Sequence, residues 1–224
     1  MLRSALLTDA GFAHGFSLRS FGTDLAEHRQ RFSEALGTMP YEISQVHGNR
    51  VRRIAPTDGI DAVREEEGDA LWTDVPGCAV AVRVADCIPL LIAHPATGAV
   101  AAVHAGWRGV EARIAQVAIE AMRVPASELV CALGPHIRVE TFEVGEDVAQ
   151  RLAAVAHGAE VIDRSYDKPH VDLTRVLGAQ LEALGVASID DVGGCTYADP
   201  KRFFSYRRDG SSGRHIAAIL SPPR

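Results

Sequence analysis

The sequence lacks the features that would place the protein in a membrane, outside the cell or on nucleic acid. No apolar run approaches the ~20 residues of a membrane-spanning helix. The apolar patch near the N-terminus is too short for a signal peptide and is interrupted by Asp9. Lys and Arg number 23 against 29 Asp and Glu, so the net charge of −6 argues against binding to nucleic-acid phosphates. We therefore expect a cytoplasmic protein that binds neither a membrane nor nucleic acid.

Cysteine is also scarce, and the four cysteines form no closely spaced pair of the kind that holds structural zinc. In a reducing compartment we expect free thiols rather than disulfides. Cys78, Cys131 and Cys195 lie in apolar or glycine-rich surroundings and are predicted to be core residues. Cys87 differs, because it follows Asp86 at a break in a strand pattern. Cys87 is therefore the cysteine for which the sequence predicts chemistry.

Two apolar runs flank a turn-forming stretch at residues 95–98 and predict a β-hairpin. If those four residues form the loop, His104 lies directly opposite Pro89. Side chains alternate along a strand, so Cys87 shares a face with Pro89 and hence with His104. Diagonal neighbours on one face lie roughly 7–8 Å apart at the backbone. A thiolate and an imidazole at that separation can reach a common metal ion.

A third candidate ligand is His47, which the predicted turn His47-Gly48-Asn49 presents at its lip. Three protein ligands, His47, Cys87 and His104, with a fourth position for substrate are the arrangement of catalytic zinc sites. Such an ion lowers the pKa of bound water toward ~7. Asp86 is a candidate to orient a ligand or to move a proton. Asn49 is a candidate to meet a substrate hydroxyl.

The same residues permit two other interpretations. Cys87 as nucleophile and His104 as base would make a thiol hydrolase that needs no metal. Copper oxidase chemistry is the other alternative, but a multicopper centre needs many histidines, commonly in His-x-His pairs. The nine histidines of this chain include no such pair. We therefore expect zinc in preference to copper.

The remaining patterns predict a single domain over residues 1–224 that mixes helices and strands. Helices are predicted over residues 25–36, 110–122, 143–156 and 172–184. Strands are predicted over residues 12–18, 129–133, 190–195 and 215–220, together with two strand-like pieces within 41–54 that the turn at 47–49 separates. The acidic stretch 57–69 is predicted to be a solvated surface loop.

Two basic positions suit an anion. Arg108 lies between Gly106 and Gly109, where the glycines let the chain turn from strand to helix and the helix N-terminus favours negative charge. The guanidinium fork of arginine matches phosphate or carboxylate geometry. The stretch 203–210 combines aromatic and basic side chains, among them Phe204, Tyr206 and Arg207.

Several motifs together resemble the laccase-domain family, also called polyphenol oxidase. They are Gln45-Val46-His47-Gly48, Ala85-Asp86-Cys87, His104-Ala105-Gly106-Trp107-Arg108-Gly109 and Ser205-Tyr206-Arg207-Arg208. The resemblance covers nearly the whole chain. It implies an α+β fold of four layers, α/β/β/α with mixed sheets, related to the catalytic domain of cytotoxic necrotizing factors. It also implies zinc held by His47, Cys87 and His104.

The resemblance further implies action on purine nucleosides, by phosphorolysis of adenosine, inosine, guanosine and methylthioadenosine and by deamination of adenosine. Phosphate would then be positioned by Arg108 and Arg207. Phe204 and Tyr206 would stack on the base, with Asp86 carrying a proton in deamination. The alternatives are an amidase that edits peptidoglycan precursors, a laccase-like polyphenol oxidoreductase and a non-catalytic binding protein. We expect a monomer.

Two departures from the family pattern bear on substrate preference. The segment 19–25 after the first strand is abbreviated, and Glu140-Thr141 stands where relatives often carry a Cys-Cys pair. Neither departure touches the three predicted metal ligands.

Overall fold

The computed structural model of the protein describes residues 1–210 and 213–223. Within them the chain forms eight α-helices and eleven strands. The helices are α1 (Ala5–Asp9), α2 (Leu25–Leu36), α3 (Ile60–Glu65), α4 (Trp107–Glu111), α5 (Ile114–Met122), α6 (Glu146–Ala154), α7 (Leu173–Ala183) and α8 (Tyr206–Asp209). The strands are β1 (His14–Phe16), β2 (Val51–Arg53), β3 (Ala70–Thr73), β4 (Ala79–Val84), β5 (Ile88–Ala93), β6 (Val100–Ala105), β7 (Val130–Leu133), β8 (Ile162–Asp163), β9 (His170–Val171), β10 (Ser188–Asp191) and β11 (His215–Leu220).

The strands form two main sheets. The larger has the order β10-β7-β5-β6-β3-β2, with parallel pairs at its two edges and antiparallel pairs between them. The smaller has the order β1-β11-β4 and is antiparallel throughout. Strands β8 and β9 form a separate antiparallel pair. The protein is therefore a mixed α/β structure that contains a mixed sheet.

Three hydrophobic clusters lie between these elements, because the side chains of each strand alternate between two faces. On β5, the side chains of Ile88, Leu90 and Ile92 pack with helices α5 and α7. Leu91 and Ala93 of the same strand pack instead with β4 and β11 of the smaller sheet. The third cluster joins the outer face of the smaller sheet to α2. The larger sheet is thus covered on both faces, and every residue of β5 is buried.

Two helices begin and end as the sequence predicts. Helix α2 spans the predicted residues, with the Asp24 side chain accepting a backbone hydrogen bond at its start. Gly37 ends α2 in the left-handed conformation, at φ 74°. Helix α7 begins after Asp172, whose carboxylate accepts the Arg175 N–H.

Two local predictions are wrong, and a third, for residues 41–54, is confirmed only in part. The helix expected over residues 110–122 is two helices, because Arg113 adopts a left-handed φ of 58° between α4 and α5. The stretch 57–69 is not simply a surface loop, since it contains α3 and ends at the fully buried Asp69. The stretch 41–54 contains only the short strand β2, with isolated bridges before it.

All four cysteines belong to the described residues and are free thiols, as expected. Cys131 is fully buried in the core, whereas Cys78 and Cys195 are only partly buried. Within the described part of the chain, no helix combines the length and hydrophobicity that crossing a membrane requires.

Candidate metal and substrate site

The β5–β6 hairpin brings two of the predicted ligands together. The predicted register is confirmed, since Pro89 pairs with His104 and Ile88 with Ala105. Ile88 and Ala105 face the helices, so His104 faces the smaller sheet on the opposite side. Cys87 immediately precedes β5 and lies on the same side of the hairpin as His104.

His47 completes the group. One donor atom from each of His47, Cys87 and His104 lies within 4.8 Å of the others, and the two imidazole rings meet edge to face with their centroids 4.7 Å apart. The predicted turn is present, but His47 itself, rather than Gly48 or Asn49, adopts the left-handed conformation, at φ 61°. That conformation costs a non-glycine residue about 1–2 kcal/mol, so surrounding contacts must hold it.

The buried carboxylate of Asp69 lies behind these ligands. Its Oδ1 is 2.8 Å from His104 Nδ1 and accepts the His47 N–H at 2.9 Å. Its Oδ2 accepts the Gly48 N–H at 2.6 Å. Asp69 was not predicted from the sequence, because this residue ends an acidic stretch whose composition is typical of an exposed loop. The available signal was its place immediately before the apolar strand β3.

Cys87 and His104 favour their charged forms in spite of burial. Burial raises the pKa of the Cys87 thiol. The charge of His104 and the hydrogen bonds from His104 and His47 have a larger, opposite effect, so the pKa is lowered to about 6. Burial lowers the pKa of His104, but the Cys87 thiolate and the Asp69 carboxylate raise it, to about 9. Burial also raises the pKa of Asp69, and its bonds from His104, Gly48 and His47 outweigh that effect. The pair of side chains therefore stabilises the thiolate form of Cys87 and the protonated form of His104.

The donor set fits a divalent metal ion. One sulfur and two nitrogen donors are ligands that zinc accepts, and three protein ligands are typical of its catalytic sites. The thiolate form of cysteine is the form that binds metals. Gly106 keeps the space free, since a Cβ there would lie 3.0 Å from Cys87 Sγ and 3.3 Å from His47 Cδ2.

The glycines around α4 serve close approach rather than a sharp turn. Gly106 has an ordinary extended φ of −70°, and a Cβ at Gly109 would lie 3.1 Å from the Gly48 carbonyl oxygen. Helix α4 has only five residues. The anion site predicted at its N-terminus therefore depends on the guanidinium of Arg108.

Asp86 connects the ligand hairpin to the C-terminal part of the site. Its φ of 87° is unusual for a residue with a side chain. Its carboxylate accepts the Thr196 hydroxyl at 2.6 Å and the Arg207 N–H at 2.7 Å. Its backbone carbonyl accepts the Ile137 N–H at 3.0 Å. Asp86 thus fixes the start of α8 and the direction of Arg207.

A cavity of about 620 Å³ opens over the His–Cys–His group, within the roughly 300–1,000 Å³ common for small-molecule sites. Among the residues that the structure describes, four arginines line it, namely Arg83, Arg108, Arg207 and Arg214, and Asp86 is the one acidic residue of the lining. The cavity is therefore suited to an anionic ligand or co-substrate.

Arg108 and Arg207 are held by aromatic and backbone contacts. Arg108 Cζ lies 4.4 Å from the centroid of the Trp107 indole. Arg207 Nη1 donates to the Glu143 carbonyl at 2.9 Å, and its Cζ lies 5.7 Å from the Phe142 ring centroid. Within residues 1–210 and 213–223, neither guanidinium forms an ion pair with a carboxylate.

The other residues predicted to contact substrate lie at different places relative to the cavity. Tyr206 lies at the cavity rim, is 59% exposed and has Arg214 5.5 Å from its ring. Phe204 is fully buried in the core and does not line the cavity, so it is not placed to stack on a base there. Asn49 also lies outside the cavity lining and donates to the Ala112 carbonyl, which ties its turn to the end of α4.

Fold and site together define a mixed α/β protein with a His–Cys–His group suited to a metal ion at the base of a small-molecule cavity. The chain belongs to the family described as multi-copper polyphenol oxidoreductase laccase, which matches residues 11–221. The family resemblance of the sequence motifs is thereby confirmed.

Named relatives and solved structures agree with this membership. The chain is 41% identical over 208 residues to a purine nucleoside phosphorylase of Deinococcus radiodurans, covering 89% of this chain and 78% of that protein. It is 35% identical over 196 residues to one of Pseudomonas aeruginosa, covering 86% and 78%. A crystal structure of a Neisseria meningitidis protein superposes with a TM-score of 0.79 at 33% identity, covering 88% of this chain and 80% of that one. That of YlmD from Geobacillus stearothermophilus superposes with a TM-score of 0.80 at 27% identity, covering 94% and 90%.

Proposed function

We propose that this protein is a zinc-dependent purine nucleoside phosphorylase. The observation that carries the proposal is that the donors of His47, Cys87 and His104 share one cavity with two cationic side chains, those of Arg108 and Arg207. Relatives 35% and 41% identical to the chain bear the name purine nucleoside phosphorylase. The cavity is also of a size suited to a nucleoside.

The metal ion would be held by His47, Cys87 and His104, and its chemistry when bound is that of a Lewis acid at neutral pH. Zinc suits this donor set. Multi-copper chemistry requires several copper sites. Within the described ranges, His47, Cys87 and His104 form the one group of three potential ligands. The copper in the family description is therefore no part of this proposal.

Arg108 and Arg207 bind and orient phosphate. Arg207 uses Nη1 on the Glu143 carbonyl, so its remaining N–H groups are available to a phosphate oxygen. The backbone bond from Arg207 to Asp86 fixes where that guanidinium can reach. Tyr206 at the rim offers a ring on which a purine can stack.

In phosphorolysis, a phosphate oxygen forms a bond to C1′ of the ribose while the bond from C1′ to the purine nitrogen breaks. The purine leaves with the electron pair and takes up a proton, giving ribose 1-phosphate and the free base. Adenosine, inosine, guanosine and methylthioadenosine all contain this bond. Deamination of adenosine would use the same cavity: a water molecule adds its oxygen to C6 of the purine, the bond from C6 to the amino group breaks, and ammonia leaves with a proton that Asp86 would carry.

The test is phosphate-dependent release of hypoxanthine from inosine by the zinc-loaded protein. We expect release that needs both phosphate and metal and that is accompanied by ribose 1-phosphate. Ammonia release from adenosine without phosphate measures deamination separately. Zinc-loaded, folded protein that releases no base from any of the four nucleosides would refute the proposal.

A second candidate function is an amidase that uses Cys87 as a nucleophile, as in the editing of peptidoglycan precursors. The observation that favours it is the sequence of contacts Cys87–His104–Asp69, which has the nucleophile–base–carboxylate order of hydrolytic triads. Amide hydrolysis that persists in excess chelator and is lost in Cys87→Ala would establish this function. Hydrolysis abolished by the chelator would exclude it.

We also propose that the three hydrophobic clusters separate four layers of an α/β/β/α domain spanning residues 1–224. The order of helices, larger sheet, smaller sheet and α2 supports this arrangement. The relation to cytotoxic necrotizing factors, the cytoplasmic location and the monomeric state remain predictions from the sequence.

A further inference from the structure

Asp69 is a fully buried carboxylate whose hydrogen bonds all go to the two histidine ligands and their turn. Oδ1 faces His104 Nδ1 at 2.8 Å and accepts the His47 N–H at 2.9 Å. Oδ2 accepts the Gly48 N–H at 2.6 Å and faces the Val46 N–H at 3.4 Å. A buried carboxylate without such donors would be strongly destabilising. Four donors arranged around one carboxylate indicate a built interaction.

The backbone of Asp69 holds His104 as well. Its carbonyl oxygen accepts the His104 N–H at 2.8 Å, next to the β3–β6 pairing of Ala70 with Val103. One residue therefore fixes both the main chain and the ring of His104. Because the sheet sets this register, the carboxylate cannot shift without moving β3 or β6.

The ring contact also selects the tautomer of His104. A carboxylate can only accept, so Nδ1 must carry the proton. His104 is also hydrogen-bonded to Cys87, and with Nδ1 engaged that contact uses Nε2. A metal ion binds the neutral ring, so it would take the place of the Nε2 proton and receive the Nε2 lone pair while Nδ1 keeps its proton.

The second effect is on His47. Its left-handed φ of 61° is unfavourable for a residue with a side chain. The N–H groups of His47 and Gly48 both point at the Asp69 carboxylate. The same carboxylate that orients His104 therefore stabilises the turn that presents His47.

We propose that Asp69 is the positioning residue of the metal site, which fixes the His104 tautomer and the His47 turn so that their donor atoms meet that of Cys87. This role rests on the metal site of the proposed function, but it is independent of the substrate. Asp69 is not one of the three potential metal ligands and does not line the cavity. Its loss should therefore act first on metal affinity.

The test compares Asp69→Asn with Glu42→Gln. An amide at position 69 places an NH₂ group against either the His104 ring or the Gly48 N–H, so one contact becomes repulsive or the tautomer inverts. Glu42 is a matched control, being 1% exposed and accepting two hydrogen bonds from Arg29 at 2.6 and 3.0 Å. Zinc affinity is measured by competition with a chromogenic chelator, and site geometry by the absorption spectrum of the cobalt-substituted protein.

We expect Asp69→Asn to weaken zinc binding about 10–100-fold and to alter the cobalt spectrum, whereas Glu42→Gln changes neither. Unchanged affinity and spectrum in Asp69→Asn would overturn the proposal. So would an equal loss of affinity in both variants, because that result would reflect general destabilisation.

A measurement on the unaltered chain covers the case in which Asp69→Asn does not fold. Nitrogen-15 NMR of the zinc-loaded wild-type protein should show His104 protonated at Nδ1, and a proton at Nε2 would refute the proposal. Zinc binding with this tautomer but without hypoxanthine release would refute the proposed function alone. Turnover with unchanged zinc affinity in Asp69→Asn would refute the role of Asp69 alone.

Discussion

Two histidines of this protein are buried to nearly the same extent but differ in their hydrogen-bond partners and in their pKa. His104 in β6 is 3% exposed, and His215 at the start of β11 is 4% exposed. His104 lies between the Asp69 carboxylate and the Cys87 thiol. His215 accepts the Phe204 N–H at 2.7 Å, and its ring lies 5.2 Å from the Phe204 ring.

The pKa values of the two rings move in opposite directions. Burial lowers the pKa of both, but the Cys87 thiolate and Asp69 raise that of His104 to about 9. For His215, burial and the nearby charge of His28 lower the pKa to about 3. Burial alone therefore does not identify a functional histidine. A carboxylate behind the ring and a thiolate in front of it do.

The largest expected effect comes from replacing each histidine by alanine. His104→Ala removes a metal ligand, and the loss of about 4 kcal/mol of metal-derived stabilisation corresponds to a roughly thousandfold lower rate of inosine phosphorolysis. His215→Ala should keep zinc and turnover while lowering the thermal midpoint. Steady-state kinetics and zinc content measured on both variants test the contrast. Equal losses of activity would contradict it.

Replacing Arg108 in the cavity lining should have a smaller effect than replacing a metal ligand. Arg108→Gln removes a charged contact worth about 1.5–3 kcal/mol to phosphate, so KM for phosphate should rise about 10–100-fold. KM for inosine and zinc content should stay constant, because Arg108 is not one of the three residues that would hold the metal ion. Arg175→Gln, an exposed position outside the cavity, is the matched control. A rise in KM for inosine alone would assign Arg108 to the nucleoside instead.

Gly106→Ala tests how tightly the donor atoms are packed. The added Cβ would press on Cys87 Sγ and the His47 ring at 3.0 and 3.3 Å. An overpacking cost of about 1–2 kcal/mol predicts about tenfold weaker zinc binding. Gly178→Ala is the control, since a Cβ there meets nothing within 4 Å. Equal zinc affinities in the two variants would show that the donor atoms have room to move.

The smallest effect per pH unit is on the free energy of unfolding, through the protonation of His215. The folded-state pKa of about 3 lies below the ordinary value of 6.5, so between these values the unfolded chain binds a proton that the folded chain does not. Stability should therefore fall as pH drops below ~6.5, with a contribution from this residue of at most ~1.4 kcal/mol per pH unit. In His215→Gln that contribution disappears. Urea unfolding at several pH values measures it, and parallel curves for the two proteins would contradict it.

The sequence was sufficient to predict the part of the site that depends on local pairing. Pro95 to Gly98 form a turn whose length sets the register of β5 and β6. Strand alternation then places Cys87 and His104 on one side of the hairpin. Both steps depend only on neighbouring residues, which is why they could be predicted.

The contacts that complete the site depend on residues distant in sequence. Asp69 reads as the end of a solvated acidic stretch until β3 pairs with β6 and buries it beside His104. Phe204 and Tyr206 are two positions apart in the sequence, but Phe204 is buried in the core and Tyr206 is exposed at the cavity rim. Arg113 adopts the left-handed conformation between α4 and α5. The sequence gives no sign of this break, because the position holds neither glycine nor asparagine.

The central claim is that His47, Cys87 and His104 bind one metal ion that the reaction requires. The most direct test is metal analysis of purified wild-type protein, Cys87→Ser and the control Cys78→Ser, with inosine phosphorolysis measured on the same samples. The account predicts close to one zinc ion per chain with turnover in the wild type and in Cys78→Ser, and neither in Cys87→Ser. Full turnover by wild-type protein that contains no metal would contradict it.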